Sequence, residues 1–152
     1  MPHRLLYRMA RVVLSLRRNR TDMPTLFSRI ASGELPSYKI AEDDRFFAFL
    51  DIHPLRPGHT LVVPKTEVDR FFDMPDEHLN GILSFAKPIA RAIEKSFPCQ
   101  RCGISAIGLE VPHAHLHLVP IDSADDLNFT RPKMKLSDAE MAAARDRILS
   151  NL

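Results

Sequence analysis

Three histidines occur at every second position of an apolar segment, at His113, His115 and His117. Successive side chains of a β-strand point to opposite faces, so an extended backbone would place the three imidazoles on one face, about 7 Å apart, with the apolar residues opposite. Packing alone explains this pattern poorly, because each imidazole buried without a partner would cost about 1–3 kcal/mol. The spacing therefore predicts a strand with one face in the core and the other in a functional site.

Two chemistries fit imidazoles arranged in this way. In the first, the histidines bind zinc or iron, with His59 or Glu110 completing the ligand set that His113 and His115 begin. In the second, the middle imidazole, His115, attacks phosphorus while its neighbours hold the phosphate. A backbone carbonyl that accepted a hydrogen bond from Nδ1 would leave the Nε2 lone pair free for this attack. The residues alone leave both chemistries open.

Helical and strand patterns around the histidines predict an α+β domain with the element order α-β-β-β-α-β-β-α. Consecutive strands are adjacent along the chain, so we expect them to pair in antiparallel fashion. A Ser-x-x-Glu capping box at Ser137 starts the last helix, and Pro88 lies within the long helix, where it would cause a kink. The predicted helices cover residues 25–33, about 75–97 and 137–148, and the predicted strands cover residues 37–41, 46–50, 59–63, 103–107 and 111–119.

Composition and charge restrict the classes of protein to which the chain can belong. Its 152 residues carry 21 basic and 19 acidic side chains, a net charge of +2, which gives no excess of basic charge for binding nucleic acid. No apolar run approaches the roughly 18 residues that would span a membrane. Two cysteines, Cys99 and Cys102, are too few for a disulfide scaffold and are expected to be ordinary thiols. We therefore expect a cytoplasmic protein that binds neither nucleic acid nor membranes.

Basic charge is concentrated at the N-terminus, where the first twenty residues contain six arginines and no acidic residue. Without residues 1–22 the chain has 15 basic and 18 acidic side chains and a net charge of −3. This head fits a transit-like peptide, a membrane-surface anchor, or translated sequence upstream of a true start at Met23, and we favour the last. The expected domain covers residues 23–152 and is mildly acidic.

The segment His113–Val119 resembles the signature of the histidine triad (HIT) family, whose members are nucleotide hydrolases and transferases. Three further segments resemble family motifs and occur in family order: the opening helix in Phe27–Ser37, the nucleotide-edge segment in Phe49–Pro54, and a G-H-x-L-V-I-P-K strand in Pro57–Lys65. The resemblance implies a HIT-like α+β fold, with an antiparallel sheet of about five strands, a long helix and a C-terminal helix. It also implies a homodimer.

The resemblance further implies that the protein is an enzyme that needs no cofactor or metal. Its substrates would be purine nucleoside phosphoramidates or dinucleoside polyphosphates. On this resemblance, His115 would attack the α-phosphorus and form a nucleotidyl-histidine intermediate, and His117 would bind the phosphate. His113 and His59 would support the nucleophile. The positions that match the family's base and ribose pocket are Phe27, Ile30, Phe49, Asp51 and Ile52, with Asp51 accepting hydrogen bonds from ribose hydroxyls.

Several positions depart from the family pattern. Glu110 stands where a small hydroxyl residue often contacts the leaving group, so we count it among the substrate-binding residues. Glu67 replaces a frequent histidine, and Thr25 and Ser28 stand where some members bind zinc through cysteines. Together with Glu110, a shortened loop before the triad motivates a third interpretation: a nucleotide-binding sensor or interaction module with weak turnover.

Overall fold

One five-stranded antiparallel sheet lies at the centre of the computed structural model, which describes residues 23–152. Its strands are β1 (Lys39–Glu42), β2 (Phe46–Leu50), β3 (Thr60–Pro64), β4 (Arg101–Ser105) and β5 (Leu116–Ile121). The order across the sheet is β1-β2-β3-β5-β4, so β3 and β5 are neighbours in space. The expected α+β fold with five antiparallel strands is confirmed. The basic head, residues 1–22, lies outside the described residues.

In the part of the chain that the structure describes, three α-helices accompany the sheet: α1 (Leu26–Ala31), α2 (Asp76–Ser96) and α3 (Asp138–Leu149). Together with the strands they give the predicted order of elements. Two short 3-10 turns, Phe71–Asp73 and Ala124–Leu127, lie in the connections. Within residues 23–152, no helix is both long enough and apolar enough to cross a membrane.

Short-range hydrogen bonds explain where several elements begin. The Thr25 hydroxyl accepts from the backbone N–H of Ser28 and so caps α1. Ser137 and Glu140 form the predicted capping box at the start of α3. The turn between β1 and β2 has no glycine; instead, the Asp43 carboxylate accepts from the two backbone N–H groups at positions 45 and 46.

Each face of the sheet carries its own apolar cluster. All five residues of β2 are buried, and alternate side chains enter different clusters: the cluster beneath α2 and α3, or the cluster beside α1. The alternation continues in the histidine segment, because Ala114, Leu116 and Leu118 belong to the cluster beneath α2 and α3. The three histidines lie on the α1 side of the sheet, as their spacing predicts: His113 and His115 contact Phe27 of the cluster beside α1, and His117 is paired with Leu61 of the same cluster.

Four strands differ from their predicted bounds, and the differences with a clear cause are those at the start of β5 and the end of β4. The strand predicted over residues 111–119 begins only at Leu116, because the preceding backbone makes local hydrogen bonds: His113 N–H donates to the Val111 carbonyl at 2.8 Å and Ala114 N–H donates to the Val68 carbonyl at 2.6 Å. β4 ends at Ser105, which pairs with His117, rather than at residue 107. Since β5 starts at Leu116, residues 106–107 have little of that strand left with which to pair.

Candidate active site

Four imidazoles meet at one edge of the β3–β5 strand pair. His117 lies in β5 opposite Leu61 of β3, and His59 immediately precedes β3, so antiparallel pairing brings their rings together. His113 and His115 lie just before β5, and the ring centroids of His115 and His117 are 4.8 Å apart. All four side chains are less than a tenth exposed. The structure thus groups the four histidines that the sequence nominated.

A chain of hydrogen bonds fixes the protonation of His59 and His117. The backbone N–H of Leu55 donates to His59 Nδ1 at 3.0 Å, so a neutral His59 carries its proton on Nε2. His59 Nε2 lies 2.9 Å from His117 Nδ1 and donates to it. The remaining His117 nitrogen, Nε2, therefore carries the proton of that ring. No atom of residues 23–152 accepts a hydrogen bond from this N–H, and it is not among the side-chain atoms that are buried without a partner. It can therefore donate to a bound ligand.

His115 has the opposite polarity. Its Nδ1 lies 2.7 Å from the backbone carbonyl of His113, which can only accept, so the proton of a neutral His115 is on Nδ1. The Nε2 atom then presents a lone pair, and it has no hydrogen-bond partner in the described part of the chain. A nucleophilic nitrogen and a donor N–H therefore lie on adjacent rings. This arrangement suits attack on a phosphorus atom whose oxygens need a donor.

His113 is held at both nitrogens. Its Nε2 donates to the Pro64 carbonyl at 2.8 Å, and its Nδ1 lies 2.6 Å from the Thr25 hydroxyl and 3.4 Å from the Ser28 hydroxyl. The Ser28 hydroxyl in turn donates to the Glu67 carboxylate at 2.7 Å. From the sequence, Thr25, Ser28 and Glu67 were noted only as departures from a family pattern. Their convergence on His113 becomes visible only in three dimensions.

Burial keeps three of the imidazoles uncharged. It lowers the pKa of His59 and of His117 to about 3, and the neighbouring imidazoles and Lys133 add to this effect. The pKa of His113 is also lowered by burial, against the opposing effects of its hydrogen bond to Pro64 and the charge of Glu67. All three rings are therefore neutral at pH 7, as the hydrogen-bond pattern requires.

Lys133 and Phe129 also border the site, and the sequence did not nominate them. The Phe129 ring packs edge-on against His117, with ring centroids 4.6 Å apart, and also contacts His59. The Lys133 ammonium lies 4.9 Å from the centre of the Phe129 ring and donates to the Phe129 carbonyl at 2.8 Å. Its charge lowers the pKa of Asp51, which burial raises. The segment that carries both residues was expected to be polar and irregular, with no periodic signal to mark them.

The six residues expected to bind substrate occupy different environments. Phe27 and Phe49 are buried against each other at a centroid distance of 5.5 Å, and Phe27 also meets the His115 ring edge-on at 5.1 Å. Ile30 packs beside them. The other three are Asp51, whose carboxylate accepts from the His53 N–H, Ile52, which is 61% exposed, and Glu110, which is exposed with no side-chain hydrogen bond or ion pair to residues 23–152.

A metal-binding group can be formed from only part of the nominated set. Within the described chain, Asp51, His59 and His117 place ligand-type atoms within 4.8 Å of one another, whereas His113 and His115 fall outside this group. A metal at His59 would need the Nε2 lone pair, but the Leu55 N–H puts the proton there. These residues therefore fit a hydrogen-bonded chain rather than a metal centre.

The hydroxyls of Thr25 and Ser28 do not fit a zinc site either. Zinc is held by thiolate, imidazole and carboxylate ligands, whereas these hydroxyls are engaged with His113 and Glu67. The two thiols of the chain, Cys99 and Cys102, are free, and burial raises the pKa of Cys102 to about 12. Both are therefore ordinary protonated thiols at neutral pH.

A cleft of about 480 Å³ has His115 among its lining residues. Its walls come from residues 69–73, after β3, and residues 106–108, after β4. Both segments are connections, and the first contains Phe72, whose side chain is 86% exposed. Because His115 lines the cleft, a ligand bound at this ring has room to extend into it.

Comparison with known proteins identifies the family. The model of the HIT domain matches residues 32–124, more than half of the chain. The chain belongs to the HIT domain family. An uncharacterised HIT-like protein of Borreliella burgdorferi is 40% identical over 113 residues, which are 70% of this chain and 81% of the relative. The adenosine 5'-monophosphoramidase of Schizosaccharomyces pombe is 32% identical over 133 residues, 86% of this chain and 99% of the relative.

Solved HIT structures share the fold described above. A zinc-bound histidine triad family protein of Mycobacterium smegmatis superposes with a TM-score of 0.70 at 32% identity, covering 86% of this chain and 96% of that one. The family resemblance noted in the sequence is thus confirmed.

Proposed function

We propose that this HIT protein is a nucleotide phosphohydrolase or nucleotidyl transferase that acts through a covalent nucleotidyl intermediate on His115. One observation carries the proposal: the backbone fixes His115 with a free Nε2 lone pair, next to a His117 whose Nε2–H is free to donate. A nucleophile and an oxyanion donor of this kind are the two groups that a phosphoryl substitution needs.

In the proposed first step, the His115 Nε2 lone pair attacks the α-phosphorus in line with the leaving group, and an N–P bond forms. The P–N or P–O bond to the leaving group breaks, and the leaving group keeps the electron pair and takes a proton from water in the cleft. The imidazole becomes cationic, and its Nδ1–H continues to donate to the His113 carbonyl, which stabilises that charge. His117 Nε2–H donates to a phosphate oxygen throughout.

Hydrolysis completes the cycle. A water oxygen attacks the same phosphorus, the electrons of the N–P bond return to His115 Nε2, and the water releases a proton to solvent. If an alcohol or a phosphate attacked in place of water, the N–P bond would break in the same way and the nucleotidyl group would be transferred to that acceptor. His59 and His113 keep their neighbours in the required tautomers and do not touch the phosphorus.

Charges around the site support an assignment of the substrate's two ends. Lys133 adds positive charge near Asp51, and Phe27 and Phe49 form an apolar pair that contacts His115; we place the phosphate and ribose of the nucleoside monophosphate beside Lys133 and Asp51, and the base beside the two phenylalanines. Ile30, Ile52 and Asp51 complete the proposed base and ribose pocket. The leaving group would extend into the cleft next to residues 69–73 and 106–108. Glu110, which follows residues 106–108 in the chain and is exposed, would contact the leaving group.

The substrate class follows from this division and from one relative. The S. pombe protein is an adenosine 5'-monophosphoramidase, which supports purine nucleoside phosphoramidates as substrates, with dinucleoside polyphosphates as the second class to test. We further propose a cytoplasmic homodimer. Two free thiols accord with a reducing compartment, and light scattering on the purified protein would measure the dimer.

The test is a turnover screen with the wild-type protein and a His115→Ala variant. The substrates are adenosine and guanosine phosphoramidates and dinucleoside polyphosphates, each supplied with and without chelator. The release of nucleoside monophosphate is measured. We expect turnover by the wild type, none by His115→Ala, and no effect of chelator. Tight nucleotide binding by calorimetry without turnover would instead support a sensor, and activity lost to chelator would support a metal enzyme.

A further inference from the structure

Three residues outside the histidine set form a hydrogen-bonded cluster behind His113. The Thr25 hydroxyl lies 2.6 Å from His113 Nδ1, and the Ser28 hydroxyl lies 2.7 Å from the Glu67 carboxylate. Glu67 also accepts from the backbone N–H of Thr25 at 3.4 Å. The cluster therefore joins the first turn of α1 to the loop after β3 and to the histidine segment.

The direction of each hydrogen bond in the cluster can be assigned. The Pro64 carbonyl, 2.8 Å from His113 Nε2, can only accept, so a neutral His113 carries its proton on Nε2 and its Nδ1 is an acceptor. The single hydroxyl proton of Thr25, whose oxygen accepts from the Ser28 N–H, can go to His113 Nδ1 at 2.6 Å or to Ser28 Oγ at 3.1 Å, and the nearer Nδ1 receives it. Ser28 gives its proton to Glu67, which as a carboxylate can only accept. The hydrogen bonds at the two ring nitrogens therefore indicate the same tautomer of His113.

The placement of His113 affects His115 because the main chain of His113 holds the His115 ring by a hydrogen bond. The His115 Nδ1–H donates to the main-chain carbonyl of His113 at 2.7 Å. The His113 side chain is fully buried and tied at one nitrogen to α1 and at the other to the end of β3. Holding the ring at both nitrogens fixes the residue whose carbonyl orients the nucleophile.

We propose that Thr25, Ser28 and Glu67 are positioning residues for the nucleophile, acting through the tautomer and placement of His113. The inference rests on the proposed function, since it concerns the same nucleophile. It goes beyond it by assigning a catalytic consequence to the capping residue of α1 and to a surface glutamate. A merely structural role would make Thr25 matter only as a helix cap.

Substitutions at Thr25 separate the two roles. Thr25→Ser keeps both the cap and the proton donor. Thr25→Asp keeps the cap, because aspartate is a favoured N-cap residue, but a carboxylate has no proton to give, so His113 Nδ1 must become the donor. Thr25→Val removes both functions. For Glu67, the matched control is Glu34→Ala, since Glu34 also contacts α1 but pairs only with Arg29 at the surface.

Three measurements are made on the full chain: thermal unfolding, ring ¹⁵N NMR of His113, and kcat/KM on an adenosine phosphoramidate. We expect wild type and Thr25→Ser to show the His113 proton on Nε2 alone and similar kcat/KM. Thr25→Asp should unfold near the wild-type temperature, show a protonated Nδ1, and lose about tenfold to a hundredfold in kcat/KM. Glu67→Ala should lose more activity than Glu34→Ala.

Two results would overturn the inference. One is a Thr25→Asp protein with a protonated His113 Nδ1 and unchanged kcat/KM; the other is a wild-type His113 with its proton on Nδ1. The NMR arm needs no turnover, so it tests the cluster even if no nucleotide is hydrolysed. Absence of turnover in the wild type would count against the proposed function, whereas an altered tautomer without altered turnover would count against this inference alone.

Discussion

Lowering the pH from 7 to 5 should destabilise the folded protein by an amount that its buried imidazoles set. In the unfolded chain each imidazole titrates at about pH 6.5, whereas in the folded protein His59 and His117 have a pKa of about 3. Over this interval the unfolded state gains protons that the folded state does not bind, so stability falls as the pH falls. The loss is absent above pH 7 and continues until the pH approaches 3.

The magnitude follows from the same values. Each imidazole that is half-titrated at pH 6.5 when unfolded, and still neutral at pH 5 when folded, contributes a loss of about 2 kcal/mol between pH 7 and 5. His59 and His117 together therefore contribute about 4 kcal/mol, and His113, whose pKa is also lowered, adds to the loss. This is a large share of a typical domain stability of about 5–15 kcal/mol.

Urea unfolding at pH 7 and at pH 5 measures the effect. The double variant His59→Gln/His117→Gln should lose about 4 kcal/mol less than the wild type over this interval, and either single variant about 2 kcal/mol less. Ring ¹⁵N NMR of the wild type at pH 5 gives an independent reading if the double variant does not fold. Equal pH dependence in wild type and folded double variant, or imidazolium signals from both rings at pH 5, would refute the neutral hydrogen-bonded chain.

Three further predictions concern the surroundings of the site. Lys133→Met should raise KM for a nucleotide substrate about tenfold, or about 1.4 kcal/mol, because it removes a cation beside the proposed phosphate site; Lys135→Met, at an exposed neighbouring position, is the control, and equal KM values would contradict the placement. Gly58→Ala should destabilise the protein by about 2–4 kcal/mol in urea, because Gly58 has a φ of +92° and an added Cβ would lie 2.4 Å from the Phe97 ring; unchanged stability would show that this loop can relax. Steady-state activity should survive prolonged dialysis against chelator, and its loss with recovery on adding zinc would point to a metal enzyme.

Local sequence was sufficient wherever a short pattern decides the structure. The run at Phe46–Leu50 forms a strand with the predicted bounds because five consecutive apolar residues are buried on both faces. The Ser137 capping box starts α3 as expected, since both of its hydrogen bonds form within four residues. The period-two spacing of the histidines correctly predicts that they share a face.

Contacts between segments that are distant in the sequence could not be predicted from local patterns. His113 and His115 lie outside β5 because the backbone at Ala114 bonds to Val68, a partner 46 positions away in the chain. Lys133 and Phe129 reach the site through an irregular segment in which no periodicity marks a functional side chain. Thr25 meets His113 across 88 positions of sequence. These contacts depend on how the sheet and its connections pack together, so they are seen only in the folded structure.

A covalent bond between His115 Nε2 and phosphorus, which the proposed function requires, can be trapped during turnover. Wild-type protein is mixed with an adenosine phosphoramidate, quenched within the first turnover under conditions that preserve an N–P bond, and digested for mass spectrometry. We expect an adenylylated peptide with the modification on His115, absent in His115→Ala and lost from the wild type once the substrate is consumed. Nucleotide release by His115→Ala at the wild-type rate, or an adduct on another residue, would contradict it.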